Sequence, residues 1–213
     1  MRTYILILIA VLAANLAISC ANPAANKPQA TVSTAAPDNN TAKTVPAEAL
    51  VIAPGNSKVE FVAAKVTRSH NGSFKQFNGS IDLVNNSPEQ SRVMIDIDTA
   101  SVVTDEDQLT GHLKTPDFFD VAKYPKATFV STKIEPANSG GATHNVTGNF
   151  DLHGVKKAIR FPATIQVAAD NVSVNAEFAI NRKDFGLLYP GKADDLIRDG
   201  VVIKLSLHVP RNK

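Results

Sequence analysis

From Lys58 onward, apolar and polar residues alternate along most of the chain, which is typical of β-strands with one buried face and one wet face. The last segment is the clearest: Val201, Ile203 and Leu205 alternate with Val202 and Lys204. The pattern predicts strands over 58–67, 77–84, 93–98, 127–134, 146–152, 159–167, 174–180 and 201–209. Eight strands joined mostly by short turns favour closure into an antiparallel barrel, so we expect an all-β fold.

One connection, 101–126, is far longer than a hairpin needs, and it predicts a short helical insertion between strands 3 and 4. Thr104 followed by three acidic residues is typical of a capped helix start. Leu113 lies on the face expected to dock. Phe118 and Phe119 are adjacent and should point different ways, so we expect one to pack against the helix and the other to border a cavity entrance.

The N-terminal 19 residues have the pattern of a lipoprotein signal peptide, with Arg2 followed by an apolar run that is short for a membrane span. The residues before Cys20, the only cysteine, resemble a bacterial lipobox. We therefore expect lipid attachment at Cys20, which would anchor the chain to a membrane. Ala17 departs from the lipobox pattern, so cleavage by the ordinary signal peptidase stays open, giving a secreted or soluble periplasmic protein.

Residues 20–56 are rich in Ala, Pro, Thr and Asn and contain no aromatic residue, which predicts a flexible tether. The expected organisation is a signal peptide at 1–19, the lipidated cysteine and tether at 20–56, and a barrel domain at 57–213. Ala21, rather than aspartate, favours outer-membrane sorting on the periplasmic side of a bacterial envelope.

The charges are nearly balanced, with 22 basic and 20 acidic residues and a formal net charge of +2, so we expect no nucleic-acid partner. The five histidines show no metal-binding or catalytic spacing, and we expect no metal, no cofactor and no enzyme activity. His112 with Asp117 and Asp120 is the one arrangement from which a mixed site could be drawn, although caps and surface charges explain it more simply.

The interior provides the main candidate site. A packed core is the default for inward apolar residues, but an eight-stranded barrel can also enclose one slender ligand. The candidate ligand-lining residues are Val59, Phe61, Phe77, Ile81, Ile95, Ile97, Leu113, Phe118, Phe119, Phe129, Phe150, Leu152, Phe161, Ile165, Phe178, Ile180 and Leu205. Arg182 and Arg198 are candidates for a polar rim that meets a ligand headgroup, because guanidinium groups recognise anions with defined geometry.

Several motifs then point to one family. HLKTPDFFDVAKYPKATFVST at 112–132, GNFDLHGVKKAIRFPA at 148–163 and INRKDFGLLYPGKADDLIRDGVVIKL at 180–205 together resemble the YceI family over about 57–209. The resemblance implies an exported, lipocalin-like antiparallel barrel, in some members holding a polyisoprenoid chain, and it implies lipid binding rather than catalysis.

Two functions remain open at this point. The first is an envelope lipoprotein that holds a polyisoprenoid, a quinone-like lipid or another long-chain apolar lipid for sequestration or transport, with stress tolerance among the compatible roles. The alternative is a tethered structural or interaction module with a solid barrel core. The sequence leaves open whether the domain forms a homodimer.

Overall fold

The computed structural model describes residues 22–37 and 46–211. It contains one α-helix, α1 (Asp107–Leu113), within these residues. The strands are β1 Thr31–Thr34, β2 Glu48–Ile52, β3 Ser57–Ala64, β4 Ser69–Phe74, β5 Phe77–Val84, β6 Ser87–Asp98, β7 Val102–Thr104, β8 Lys126–Ser139, β9 Ala142–Leu152, β10 Val155–Val167, β11 Asn171–Asn181, β12 Gly191–Lys192, β13 Asp195–Leu196 and β14 Gly200–Pro210. None of the described helices is long and apolar enough to cross a membrane.

The main sheet is antiparallel and curls around one apolar core in the order β2-β5-β6-β8-β9-β10-β11-β14-β3-β4-β7. This confirms the predicted all-β, lipocalin-like barrel. The strand count is higher than eight, because short strands were missed. β4 reads SHNGSF and β7 reads VVT, and neither offers enough apolar alternation to be recognised.

The helical insertion between the third and fourth predicted strands, now β6 and β8, is confirmed by α1. Its start differs from the prediction, since Glu106 rather than Thr104 occupies the N-cap and makes no side-chain cap hydrogen bond. The Thr104 hydroxyl instead donates to the carbonyl of Glu106 at 2.7 Å and lies 2.9 Å from the Thr110 hydroxyl. Thr104, the last residue of β7, therefore holds the first turn of α1 in position.

The tether predicted for 20–56 is wrong for the described parts of that range. β1 pairs with β10, and β2 pairs with β5. Leu50 and Ile52 are fully buried in the core. The prediction assumed that a segment without aromatic residues cannot become ordered. Two short segments of it are ordered because they add to sheet edges, where backbone hydrogen bonds supply much of the contact. The barrel domain therefore begins before residue 57. The predicted signal peptide and Cys20 lie outside the described residues.

β10 and β11 pair with each other only next to the turn that joins them, over Thr164–Val167 and Val172–Asn175. Away from this turn the two strands separate and leave a split in the barrel wall. The N-terminal segment covers this split. β1 pairs with residues 157–160 of β10, while Ala30 donates to the carbonyl of Ala179 on β11 at 2.8 Å. Ala30 is buried in the main core. Residues 22–37, called here the N-terminal seal, thus complete the wall.

The two ends of the barrel differ in construction. The turns at 85–86, 140–141 and 168–170 close one end, called here the far end. α1, the β3–β4 turn and residues 182–199 lie at the opposite end, called here the helix end. Toward the far end the interior is filled by Ile81, Val93, Ile134, Val146, Ile165, Val174 and Leu207, all buried.

Candidate functional site

An apolar cavity occupies the half of the barrel nearest the helix end, with a volume of about 140 Å³. The structure places most of the predicted lining residues around it: Val59, Phe61, Ile95, Ile97, Leu113, Phe118, Phe119, Phe129, Phe150, Leu152, Phe161, Phe178, Ile180 and Leu205. Phe77, Ile81 and Ile165 do not border this cavity. These three are buried in the core, and Ile81 and Ile165 belong to the solid far half, so inward alternation identified the interior but not where it is hollow.

Two stacked rings form the floor of the cavity. Phe161 of β10 and Phe178 of β11 lie with their ring centroids 4.1 Å apart and their planes 11° from parallel. Phe129 packs against Phe161 at 5.6 Å between centroids. Below these rings, Ala163 and Ala176 are buried without bordering the cavity. The aromatic floor therefore separates the hollow half from the packed half.

Glycines make room for rings in the cavity wall. A Cβ at Gly72 would overlap the ring of Phe61, which is its partner across β3 and β4. A Cβ at Gly148 would overlap the ring of Phe129 in the same way. Each ring occupies the space that a side chain at the glycine would take. The ring therefore lies against the barrel wall instead of filling the interior. The hollow thus depends on two residues without side chains.

Phe118 and Phe119 contact different neighbours, but only this part of the prediction holds. Phe118 packs edge-on to His112 of α1, at 4.9 Å between ring centroids, and is buried. Phe119 is half-buried and lies 5.7 Å from the ring of Phe74. Both nevertheless border the cavity. The long connection thus supplies two rings to the wall at the helix end.

Arg182 borders the cavity, but its contacts are those of a structural residue. Its side chain is 4% exposed, and its guanidinium donates to the carbonyls of Leu187, Arg198 and Ile197. Desolvation lowers the pKa of Arg182, and Asp199 at 3.4 Å partly offsets this. These donors are engaged in joining two loops, and the headgroup contact predicted for Arg182 stays a prediction.

Arg198 is half-buried and does not border the cavity. Its backbone N–H donates to the carbonyl of Ala64 at 2.8 Å, and its carbonyl accepts from Arg182. Together Arg182 and Arg198 form a clamp that holds residues 187–199 against the end of β3, and the polar rim predicted from them stays a prediction. The mixed-charge pattern around them signals loop fixation.

His112 Nε2 lies 2.8 Å from a carboxylate oxygen of Asp117, within hydrogen-bond distance, and the His112 ring lies 5.2 Å from the ring of Tyr189. This pairing joins α1 to the turn that follows it. No group of three or more histidine, cysteine or acidic side chains that could hold a metal occurs in residues 22–37 and 46–211. His112 with Asp117 and Asp120 therefore shows the geometry of a surface pairing.

Some cavity residues were not in the predicted set: Glu60, Ala63, Phe74, Ala127, Ile159, Leu187, Ile197, Val201 and Ile203. Val201 and Ile203 carry the alternation of the last strand and could have been included on that basis. Leu187 and Ile197 belong to loops. Their position depends on the Arg182 clamp, for which the sequence offers no periodic signal.

Comparison with known sequences gives one family match, to the YceI-like domain, over residues 50–209. A UPF0312 protein of Pseudomonas putida strain W619 is 36% identical over 126 residues, which are 56% of this chain and 65% of that protein. A UPF0312 protein of Pseudomonas fluorescens strain SBW25 is 33% identical over 132 residues, 59% of this chain and 68% of that protein. The chain thus spans just under two thirds of the length of the P. putida relative.

Solved structures show the same architecture. Burkholderia cenocepacia BcnA aligns with a TM-score of 0.65 and 27% identity, over 74% of this chain and 98% of that one. A polyisoprenoid binding domain from Saccharophagus degradans, implicated in plant cell wall breakdown, aligns with a TM-score of 0.60 and 22% identity, over 78% and 99%. With the match to the family model over most of its folded part, the chain belongs to the YceI-like family.

Proposed function

We propose that this protein binds an apolar isoprenoid lipid, such as a polyisoprenoid or a quinone-like lipid, in the hollow half of its barrel. The observation that carries the proposal is the cavity itself, which is bordered almost wholly by aliphatic and aromatic side chains. The two charged residues on its border are Glu60 and Arg182, and Arg182 is engaged with backbone carbonyls. A site of this kind favours a ligand without a buried headgroup.

The size of the cavity limits what it holds without rearrangement. A void of about 150 Å³ in a protein core accepts one benzene-sized molecule. The cavity here, about 140 Å³, therefore has room for one end of a prenyl chain. Each buried methylene contributes about 0.8 kcal/mol, from which association and ordering costs are subtracted. A longer buried length requires the Phe161–Phe178 floor to move.

The comparisons support this function at the level of the fold. The S. degradans domain is described as polyisoprenoid binding and shares the barrel, although identity to it is 22%. We further propose that the protein is a lipoprotein of the bacterial cell envelope, anchored through Cys20 on the periplasmic side, and that it sequesters or transports its lipid. Stress tolerance is one role compatible with that activity.

Native mass spectrometry tests the binding proposal directly. Protein made in bacterial cells and purified without detergent should carry an adduct that organic solvent extracts, and the extracted lipid should show the mass spacing of isoprene units. Protein that carries no such adduct, and that takes up no added prenyl lipid, would overturn the proposal. Intact mass of the membrane-extracted chain reports separately on acylation of Cys20.

A second candidate is a structural or interaction module, and the solid far half of the barrel favours it. In this case residues 182–199 would contact an envelope partner, and charge reversal there would matter more than changes around the cavity. An enzymatic role for His112 is tested by His112→Ala, which under the lipid-binding proposal leaves the ligand content unchanged.

A further inference from the structure

Three large apolar side chains are exposed at the helix end, around the cavity. Val66 is 49% exposed, Leu188 is 63% exposed and Leu196 is 48% exposed. The Val66 N–H donates to the Leu196 carbonyl at 3.0 Å, so these two lie together. Leu188 and Leu196 each stand next in the chain to a residue that borders the cavity, Leu187 and Ile197. We call these three residues the apolar rim.

The charged side chains near the rim are largely paired with one another. Lys65 lies 3.0 Å from Asp195, and Lys183 lies 2.9 Å from Asp199. Arg68 and Glu106 are 3.4 Å apart. Because each of these basic side chains is paired with an acidic one, the surface around the rim is not strongly basic. An apolar surface with balanced charge around it suits contact with hydrocarbon more than with anionic headgroups.

The N-terminal chain enters the fold at this same end. Ala24 is buried against Val62, Ala179 and Val202 on the outside of the wall. The Cβ of Ala24 would be 2.8 Å from a Cβ at Gly200, the first residue of β14. Two residues span at most about 7 Å, so Cys20 can lie no farther than that from Asn22. An acyl chain on Cys20 would thus reach the bilayer beside the helix end.

We propose that the helix end of the barrel docks on a lipid bilayer, with the apolar rim in contact with the acyl region and the lipid on Cys20 holding it there. The inference rests on the proposed function in one respect, the acylation of Cys20. It also explains the small cavity. One end of an isoprenoid enters the barrel through the helix end, while the remainder of the chain stays in the bilayer and is never exposed to water.

Hydrogen exchange on vesicles tests the orientation. The mature chain, which under this proposal begins at the acylated Cys20, is extracted with its native lipid and reconstituted into phosphatidylcholine vesicles. It is compared with a Cys20→Ser chain that begins at residue 20 and stays in solution. Amides of residues 65–68 and 187–197 should exchange at least about fivefold more slowly on vesicles, while those of the far-end turn at 168–171 should not change. Protection at the far end, or equal exchange at both ends, would overturn the proposal.

A pair of matched variants checks that the rim makes the contact. Leu188→Ser combined with Leu196→Ser should abolish the protection, and Val51→Ser, which changes a side chain 64% exposed on β2, should leave it intact. Protection that survives the double change would contradict docking through the rim. Replacing part of the phosphatidylcholine with an anionic lipid should change the protection less than about twofold, because charge does not drive the contact.

If intact mass shows no acyl group on Cys20, the anchoring proposal fails by itself. The docking proposal is then tested on vesicles containing a maleimide lipid, which couples to Cys20, the only thiol in the chain. Ligand content from native mass spectrometry is measured on the same samples. A chain that docks but carries no isoprenoid would separate failure of the binding proposal from failure of docking.

Discussion

Phe161 and Phe178 stack face to face across the split between β10 and β11, with ring centroids 4.1 Å apart. The two strands are not hydrogen-bonded at this level, because their pairing is confined to residues 164–167 and 172–175. The stacked rings therefore hold the two strands together where the backbone does not. The same pair forms the floor of the cavity, so wall stability and cavity depth depend on one contact.

Removing one ring should deepen the cavity and weaken the barrel. Phe178→Ala should lower the free energy of unfolding by about 3–5 kcal/mol, the usual cost of a buried aromatic side chain. The variant should also retain a longer prenyl chain, because the void opens toward Ala163 and Ala176. Urea unfolding measures the first effect, and native mass spectrometry after incubation with prenols of increasing length measures the second.

Ile165→Val is the control for this change, since Ile165 is buried but lies below the floor. It should cost about 0.5–1.5 kcal/mol and leave the bound chain length unchanged. If both variants bind the same lengths as the unchanged protein, the stacked pair does not set the depth.

A methyl group at Gly72 should reduce ligand binding. Its Cβ would overlap the Phe61 ring, which would have to move into the cavity. Gly72→Ala should therefore destabilise the fold by about 1–3 kcal/mol and lower the fraction of protein that carries ligand. Gly111→Ala is the matched control, because a Cβ there meets nothing within 4 Å. The control should stabilise α1 by up to about 1 kcal/mol with unchanged ligand content.

Substitution of Arg182 separates loop fixation from headgroup recognition. Arg182→Lys keeps the charge but cannot reach the carbonyls of Leu187, Ile197 and Arg198 together, so it should lower the free energy of unfolding by about 1–3 kcal/mol. Ligand content per folded molecule should not fall. Arg198→Lys serves as the comparison. Loss of ligand at full stability would instead support an anion contact at Arg182.

The N-terminal seal should loosen in acid. A hydrogen bond from Lys27 at 2.9 Å is the main cause that lowers the pKa of Glu177 below 4.5. A lowered carboxyl pKa contributes stability that is fully present above about pH 4.5 and is lost as the pH falls through the folded-state value. Both side chains are about one-third exposed, so the contribution is at most about 1 kcal/mol.

Lys27→Met should therefore reduce stability at pH 7 and have no effect at a pH well below the folded-state pKa of Glu177. Denaturant unfolding at the two pH values provides the measurement. In the Glu177→Gln background the effect of Lys27→Met should vanish at both pH values. A constant difference across the pH range would show that Lys27 acts through its hydrocarbon chain instead.

Displacing the seal should expose the cavity from the side. Ala30 is 5% exposed in the main core, and Ala30→Glu would bury a charge without a partner. Residues 22–37 should then become sensitive to protease, and bound lipid should exchange several-fold faster with vesicles. Ser33→Glu changes an exposed position of β1 and should do neither. Unaltered lipid exchange after cleavage within 22–37 would contradict a sealing role.

The sequence predicted the strands that alternate cleanly. β9, β10, β11 and β14 each place apolar residues at every second position over most of their length, and this pattern is set by burial of one face. β1 and β2 could not be found in this way. β1 is held by backbone pairing to β10, which leaves no mark in side-chain type. β2 buries only Leu50 and Ile52, an alternation too short to be recognised beside its backbone pairing to β5.

The sequence also could not predict which part of the barrel interior contains the cavity. Phe77 and Phe61 occupy equivalent inward positions on their strands, yet only Phe61 borders the cavity. Phe77 even pairs with Ile97, which borders the cavity, so the difference is a property of packing in three dimensions. The Arg182 clamp shows the same limit, because its partners Leu187, Ile197, Arg198 and Asp199 follow no periodic spacing from it.

The N-terminal seal has a practical consequence for work on this protein. The family match begins at residue 50, so an expression fragment chosen from that match would lack residues 22–37 and part of β2. Such a fragment would keep every residue that borders the cavity but would have a gap between β10 and β11. Lipid affinities and bound-lipid compositions measured on it would describe a barrel with a gap in its wall. Values for the complete barrel require the chain that includes residues 22–37.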